Sequence, residues 1–276
     1  MITELAPAKI NLALHVRARR PDGYHEIETL FAFCRDGDRL EIEETRADEL
    51  RIVGPFAEGL SITDNLVLAA LAAMRDQPFG DIPPLAITLT KYLPVAAGIG
   101  GGSADAAAMI RLLDRQYGHN GDNKELVLAT AHLGADVGAC IVGHTRIGIG
   151  VGTDLHVASD DLAGCPVLLV NPRVPLSTGA VFNAWDGVDR DPLPQGTARE
   201  IALAGRNDLE EPAIRLCPQI AEVLAALQRT DAWLVRMSGS GATCFALFDA
   251  EAARSVAYAA ITAAQPDWWC LESTLA

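Results

Sequence analysis

The chain has 276 residues, of which 50% are hydrophobic and 21% charged, and its formal net charge is −14. That length is comfortable for two lobes with substantial cores. The negative charge argues against nucleic acid or an anionic membrane surface as a partner.

Cys34, Cys140, Cys165, Cys217, Cys244 and Cys270 form no CxxC pair. They read as reduced core residues rather than a disulfide framework. The six histidines make no HxH, HxxH or HExxH cluster, so no dedicated zinc site is expected. The opening MITELAPAKINLALHV has no signal-peptide pattern, and no apolar window is long enough for a bilayer. A cytoplasmic protein is expected. Among 22 basic residues only Lys9, Lys91 and Lys124 are lysines, so a retained lysine is suspect as a chemical group.

In chain order, residues 9–17 (KINLALHVR) alternate and predict a strand with Ile10, Leu12, Leu14 and Val16 on its one buried face. A Pro-Asp-Gly turn precedes YHEIETLF. DRLEIEE alternates again. Thr63 or Asp64 is expected to cap the apolar helix NLVLAALAAMRD. LAITLTKYL (85–93) predicts a strand. A helix is expected from about Ser103 to Tyr117. In DNKELVLATAHLG, Asp122 and Glu125 have capping-box spacing and Gly134 ends the helix. The chain turns polar around 150–161, which places a lobe boundary there, with lobes 1–155 and 156–276. The second half offers a strand (CPVLLVNP), a helix starting near Ser177, and helices in NDLEEPAIRL and CPQIAEVLAALQRT. A hairpin follows, WLVRM and ATCFALF around SGSG, and then a last helix, AEAARSVAYAAITAA. Strands and helices mix without strict alternation, so the fold class is α+β.

The stretch LPVAAGIGGGSADAAA holds most of the chemistry. Gly98, Gly100, Gly101 and Gly102 fall in five positions just before a helix. Bare backbone N–H groups and the positive end of a helix suit a phosphate. Ser103 can cap that helix or turn its hydroxyl toward a phosphate or its magnesium ion. The plain alternative is a tight strand-to-helix turn. There is no GxxxxGK[ST] loop, no HRD or DFG signature and no GxSxG.

This stretch resembles the second motif of the GHMP kinases, named for galactose, homoserine, mevalonate and phosphomevalonate kinases. AKINLALHV, RPDGYHEIETLF, LGADV (133–137) and RMSGSGATCFALF resemble the branch of that superfamily that acts on a cytidine-diphosphate-linked acceptor. The resemblance implies a two-lobed fold, with a ribosomal-protein-like N-terminal lobe, a ferredoxin-like C-terminal lobe and the active site in the cleft. It implies ATP as phosphoryl donor with Mg²⁺, and phosphorylation of the 2-hydroxyl of a diphosphocytidyl methylerythritol in the non-mevalonate route to isoprenoid precursors. A monomer or weak homodimer is expected.

Carried over residue by residue, the resemblance makes Lys9 and Asp136 catalytic, and Pro94, Val95, Ala96, Ala97, Gly98, Ile99, Gly100, Gly101, Gly102 and Ser103 the ATP phosphate loop. Asn65 and Lys91 become adenosine-side contacts, while Asn11, Tyr24, His25, Thr178 and Phe182 bind the acceptor. No residue is assigned to the metal. Each has a plain alternative: a solvated strand lysine for Lys9 and Lys91, a helix cap for Asp136, half-buried residues for Tyr24 and His25, and a hairpin turn for Ser238–Gly241. The branch usually has proline at position 138, and Gly138 implies a looser loop after Asp136. Another GHMP kinase, for mevalonate or homoserine, would lack the PDGYH segment. A merely nucleotide-binding protein would need neither Lys9 nor Asp136.

Overall fold

The computed structural model describes residues 1–77, 81–118 and 123–276. These divide into two compact units that interleave along the chain: 1–8, 36–95 and 100–143 in the first, 9–35, 96–99 and 144–276 in the second. The expected boundary near 155 falls inside the second unit. Two long strands contribute to both units: β1 (Ile2–Arg19) and its partner β2 (His25–Glu44).

In the first unit, the second half of β2 pairs antiparallel with β4 (Leu85–Thr90), and β4 pairs in parallel with β3 (Glu49–Val53). The helices are α1 (Leu66–Arg75), α2 (Gly101–Tyr117), α3 (Asn123–Ala129) and α4 (Val137–Val142). α2 packs against α1 and α4. Ala104, Ala106, Ala107 and Ala108 are buried on it, and such small side chains permit close helix approach. Gly37 sits inside β2 because an added Cβ there would lie 1.9 Å from the Ala6 carbonyl oxygen.

In the second unit, the first half of β2 pairs with β5 (Arg146–Gly150), which pairs with β6 (Asp154–Val157). A separate antiparallel sheet contains β7 (Pro166–Asn171), β8 (Leu234–Met237), β9 (Cys244–Leu247) and β10 (Trp269–Thr274), in the order β10-β7-β9-β8. The helices are α5 (Thr178–Asn183), α6 (Ala198–Ala204), α7 (Glu210–Leu216), α8 (Gln219–Leu227) and α9 (Glu251–Ala264). α8 and α9 pack on the sheet. Two sheets with segregated helices bear out the α+β class. All six cysteines are free thiols.

Several sequence expectations are corrected. β1 is buried on both faces, since Lys9, Asn11 and His15 are as enclosed as their apolar neighbours. HEIETLF and DRLEIEE belong to one strand of 20 residues, with Tyr24 just ahead of it. The cap of α1 is Asn65, not Thr63 or Asp64; its extended backbone (ψ 130°) lets Oδ1 accept from the Val67 N–H. α3 stops at Ala129, where the Thr130 hydroxyl bonds back to the Leu126 carbonyl, and Gly134 ends only a short 3₁₀ turn, Ala131–Leu133. Asp122 of the expected capping box lies outside the described residues. β3, β5, β6, β10 and α6 carry no strong periodicity of their own, and the sequence reading passes over them.

Candidate active site

The glycine stretch resolves into glycines bare for different reasons. At Gly98 (φ +75°), a Cβ would lie 2.4 Å from the Ser238 carbonyl oxygen and 2.7 Å from the Gly241 nitrogen. That glycine serves the close approach of the Ser238–Gly241 turn, the plain structural alternative. Gly100 holds the left-handed backbone (φ 64°) that opens α2. Gly101 and Gly102 differ: the atoms nearest an added Cβ stand at 3.5 and 3.6 Å, ordinary contact distances. The fold would accept a β-carbon at each, and the sequence has none.

α2 begins at Gly101, two residues before the expected start, so Ser103 is its third residue and does not cap it. Gly100 occupies the cap position and supplies no side-chain bond. The first-turn N–H groups therefore have no side-chain cap, and the positive end of a 17-residue helix is presented bare. Pro94 and Ala97 are buried, while Val95, Ala96 and Gly102 are exposed. Ala96 takes a left-handed φ of 50°, a conformation L side chains resist.

Below this entrance, within the first unit, lies a dry ionic cluster. Lys91 is 3% exposed, which corrects the solvated strand-end reading. Its ammonium donates to Asp38 Oδ2 and, at 2.6 Å, to Asp105 Oδ2. Burial opposes the ammonium's charge, but the two carboxylates more than offset it and hold its pKa up. Burial pushes the Asp105 carboxyl up to about 7, against the pull of Lys91. Two carboxylates share one cation, which explains why one of them holds its proton so tightly. Asn65, expected beside Lys91 on the adenosine side, is half-buried; it caps α1 and its amide reaches the Ser61 carbonyl at 3.3 Å.

Asp136 precedes α4 with helical backbone (φ −83°, ψ −13°), and its side chain makes no cap bond to that helix. The expected helix-cap role is thereby corrected. Gly138 lies within α4, so the looseness expected after Asp136 does not fall on a loop.

In the second unit, Lys9 is buried. Its Nζ donates to Asn11 Oδ1 at 2.9 Å and stands 5.3 Å from the centre of the Phe31 ring. The Asn11 amide donates to Thr29 Oγ1 at 2.8 Å, and Thr29 donates to the Ala13 carbonyl at 2.6 Å. Asn11, expected to touch the acceptor, also holds the Lys9 ammonium through its side-chain oxygen. Ser238 Oγ accepts from the Asn11 N–H at 3.2 Å and donates to the Gly98 carbonyl at 2.8 Å, tying the Ser238–Gly241 turn to the same strand.

The same unit gathers an aromatic cluster. The His25 ring lies 5.0 Å from Phe182 and 5.8 Å from Trp185, the latter edge-on. His25 Nε2 and Trp185 Nε1 are buried and have no hydrogen-bond partner. Burial, and then the charge of Arg19, push the His25 pKa down, so the ring is neutral at pH 7. Arg19 donates to the carbonyls of Asn183 (3.1 Å) and Trp185 (2.6 Å), fixing the end of α5. Thr178 pairs with Ser240 at 3.0 Å. Tyr24 is 62% exposed. Sequence reasoning missed Arg19, Thr29, Asp38, Asp105 and Trp185; a signal existed only for Asp105, an acid within an alanine run.

The bare entrance to α2 in the first unit suits a phosphate, and the second unit holds an oriented buried lysine and an aromatic cluster with open nitrogens. Residues 65–144 match the family model for the GHMP kinases N terminal domain, and residues 193–266 that for GHMP kinases C terminal. The chain is 56% identical to the 4-diphosphocytidyl-2-C-methyl-D-erythritol kinase of Sphingopyxis alaskensis over 97% of this chain and 96% of that one. It is 54% identical to the enzyme of the same name from Novosphingobium aromaticivorans, over 99% and 93%. A crystal structure of 4-(cytidine 5'-diphospho)-2C-methyl-D-erythritol kinase matches with TM-score 0.82 and 33% identity over 99% of both chains. The mevalonate kinase of Methanococcus jannaschii, at 16% identity and TM-score 0.65 over 100% and 98%, shares the fold. The chain belongs to the 4-diphosphocytidyl-2-C-methyl-D-erythritol kinase family of GHMP kinases.

Proposed function

We propose that this chain transfers the γ-phosphoryl group of ATP to the 2-hydroxyl of 4-diphosphocytidyl-2-C-methyl-D-erythritol, a step toward isoprenoid precursors. The observation that carries the reading is the entrance to α2, where Gly101 and Gly102 are bare although a β-carbon would meet only ordinary contacts. Backbone N–H groups there cradle the phosphates, with 94–103 as the loop. Lys9, oriented by Asn11, stabilises charge on the attacking oxygen and the transferring group. Asp136 accepts the hydroxyl proton as the acceptor oxygen bonds to the γ-phosphorus and the bond to the bridging oxygen of ADP breaks.

Tyr24 and Phe182 stack on the cytosine, and neutral His25, one ring nitrogen a donor and the other an acceptor, reads its edge. Thr178 lies at the same end, and Asn65 serves the adenosine. Among the described residues no cluster of three His, Cys, Asp or Glu forms a metal cage. The Ser103 hydroxyl, third residue of α2, would hold a magnesium ion arriving with the nucleotide, and that ion would offset phosphate charge. Among the described residues no helix is long and apolar enough to cross a membrane.

The test is a phosphoryl-transfer assay offering the diphosphocytidyl acceptor, mevalonate and homoserine in parallel. Turnover of the first alone supports the reading, and preference for either of the others replaces it. Asp136→Asn should lower kcat by about 10² to 10⁴, the range for loss of a general base, with ATP affinity unchanged.

A further inference from the structure

Asp38 belongs to none of the motifs of the sequence, yet it is fully buried and joins several segments of the first unit. Its Oδ1 accepts from two successive backbone N–H groups, Tyr92 at 2.6 Å and Leu93 at 2.9 Å. Its Oδ2 accepts from the Lys91 ammonium, which also holds Asp105 on the second turn of α2. The Lys91 backbone is fixed in turn: its N–H donates to the Val53 carbonyl at 2.7 Å, and its carbonyl accepts from Phe56 at 3.3 Å. A Cβ on Gly101 would lie 3.5 Å from Lys91 Nζ and 3.8 Å from Asp38 Oδ2. The cluster is therefore the floor beneath the first residue of α2.

A glycine turn has no side chains of its own to anchor it, and each glycine loses more backbone freedom than other residues on being ordered. A phosphate site of backbone N–H groups is effective only when those groups already point the right way; otherwise binding must supply the ordering. The turn leaves β4 through Tyr92 and Leu93 and enters α2 at Gly101. Asp38 grips the first side directly and the second through Lys91.

We propose that Asp38 is a positioning residue for nucleotide binding: through the Tyr92 and Leu93 amides and the Lys91 ammonium it presets the glycine turn before the phosphates arrive. This rests on the kinase reading above. A buried carboxylate kept for stability alone would leave the nucleotide affinity of the folded protein untouched.

The experiment measures binding of the non-hydrolysable analogue adenylyl imidodiphosphate by calorimetry, well below each variant's melting temperature. Asp38→Asn retains an oxygen for the two amides and removes the charge from Lys91; Asp38→Ala removes both. The dissociation constant should rise about tenfold for the first, one factor of ten per 1.4 kcal/mol, and further for the second. The Michaelis constant for the cytidyl acceptor should stay within about twofold. Unchanged nucleotide affinity in the folded Asn variant overturns the proposal, and so does an equal loss for the acceptor.

Hydrogen exchange on the wild-type chain decides the matter if neither variant folds. The Tyr92 and Leu93 amides should be protected without nucleotide and gain nothing when the analogue binds; protection that appears only with the analogue overturns the proposal. A wild type that binds the analogue but phosphorylates no acceptor defeats the kinase reading and leaves the role of Asp38 to these binding measurements.

Discussion

Two buried polar clusters in this molecule are built on opposite plans. Beneath the glycine turn, Asp38 and Asp105 share the Lys91 ammonium, and only Asp105 Oδ1 lacks a hydrogen bond. Around His25 the neighbours are rings, and the two buried nitrogens, His25 Nε2 and Trp185 Nε1, have no partner within the protein. Burial acts on both, raising the Asp105 carboxyl toward neutrality and lowering the His25 imidazole toward neutrality. The difference lies in what balances it. The cluster around Lys91 satisfies all but one of its carboxylate oxygens and fixes backbone. The aromatic cluster keeps polar atoms in reserve, and an open buried polar atom is what lets a pocket reject ligands that lack the matching group.

The largest effect should come from unbalancing the ionic cluster. Lys91→Met leaves two carboxylates facing each other without their cation, and removing one partner of a buried pair typically costs about 3–5 kcal/mol. Urea denaturation at pH 8 measures it. A loss below about 1 kcal/mol would mean the cluster is wetter than its burial indicates.

An intermediate effect is expected at the aromatic cluster. Phe182→Ala should weaken the cytidyl acceptor by about 1–3 kcal/mol, the range for base–aromatic stacking, and leave the Michaelis constant for ATP unchanged. Steady-state kinetics with each substrate varied separately read the two apart. If ATP weakens and the acceptor does not, the open nitrogens serve the other substrate.

The smallest effect sharpens the comparison through pH. The Asp105 carboxyl sits at about 7 in the folded chain against an ordinary value of 3.8. Between those values the folded chain keeps a proton that the unfolded chain has released, so this group's contribution to stability falls as pH rises from about 4 through 7 and is flat above. The groups facing it are Lys91 and Asp38. Asp105→Asn removes the titration. The stability difference, variant minus wild type, should therefore increase in the variant's favour from pH 5 to pH 8 and then level off. A difference independent of pH would show that Asp105 is ionised throughout, as in an ordinary salt bridge.

Much of the fold was legible where local pattern and tertiary environment agree. α1, α2, α8, α9 and the hairpin of β8 and β9 all show in the spacing of apolar residues. Phosphate chemistry showed in the glycines. It is not legible from sequence that Gly98 is bare for the Ser238 turn while Gly101 and Gly102 are not bare for packing, because the four are identical letters and only their neighbours differ. Likewise Lys9 and Lys91 are both buried lysines near the glycine turn in sequence or through a backbone bond. Their roles separate only when Asn11 and Phe31 are found beside one, and Asp38 and Asp105 beside the other.

The sequence by itself determined the α+β class, the glycine-rich entrance to α2, and the family to which AKINL, PDGYH and GGGSADAAA point. These are properties of contiguous stretches, set by periodicity, capping chemistry and backbone freedom. Tertiary structure alone decided that β1 is enclosed on both faces, that Asp136 does not cap its helix, that Asp38 is bound to residues more than 50 positions away, and that Trp185 edges against His25. The reason is physical: burial and partnership are set by residues distant in the chain, and in a dry interior those partners, more than the side chain's own chemistry, fix which proton it holds and what it is left able to bind.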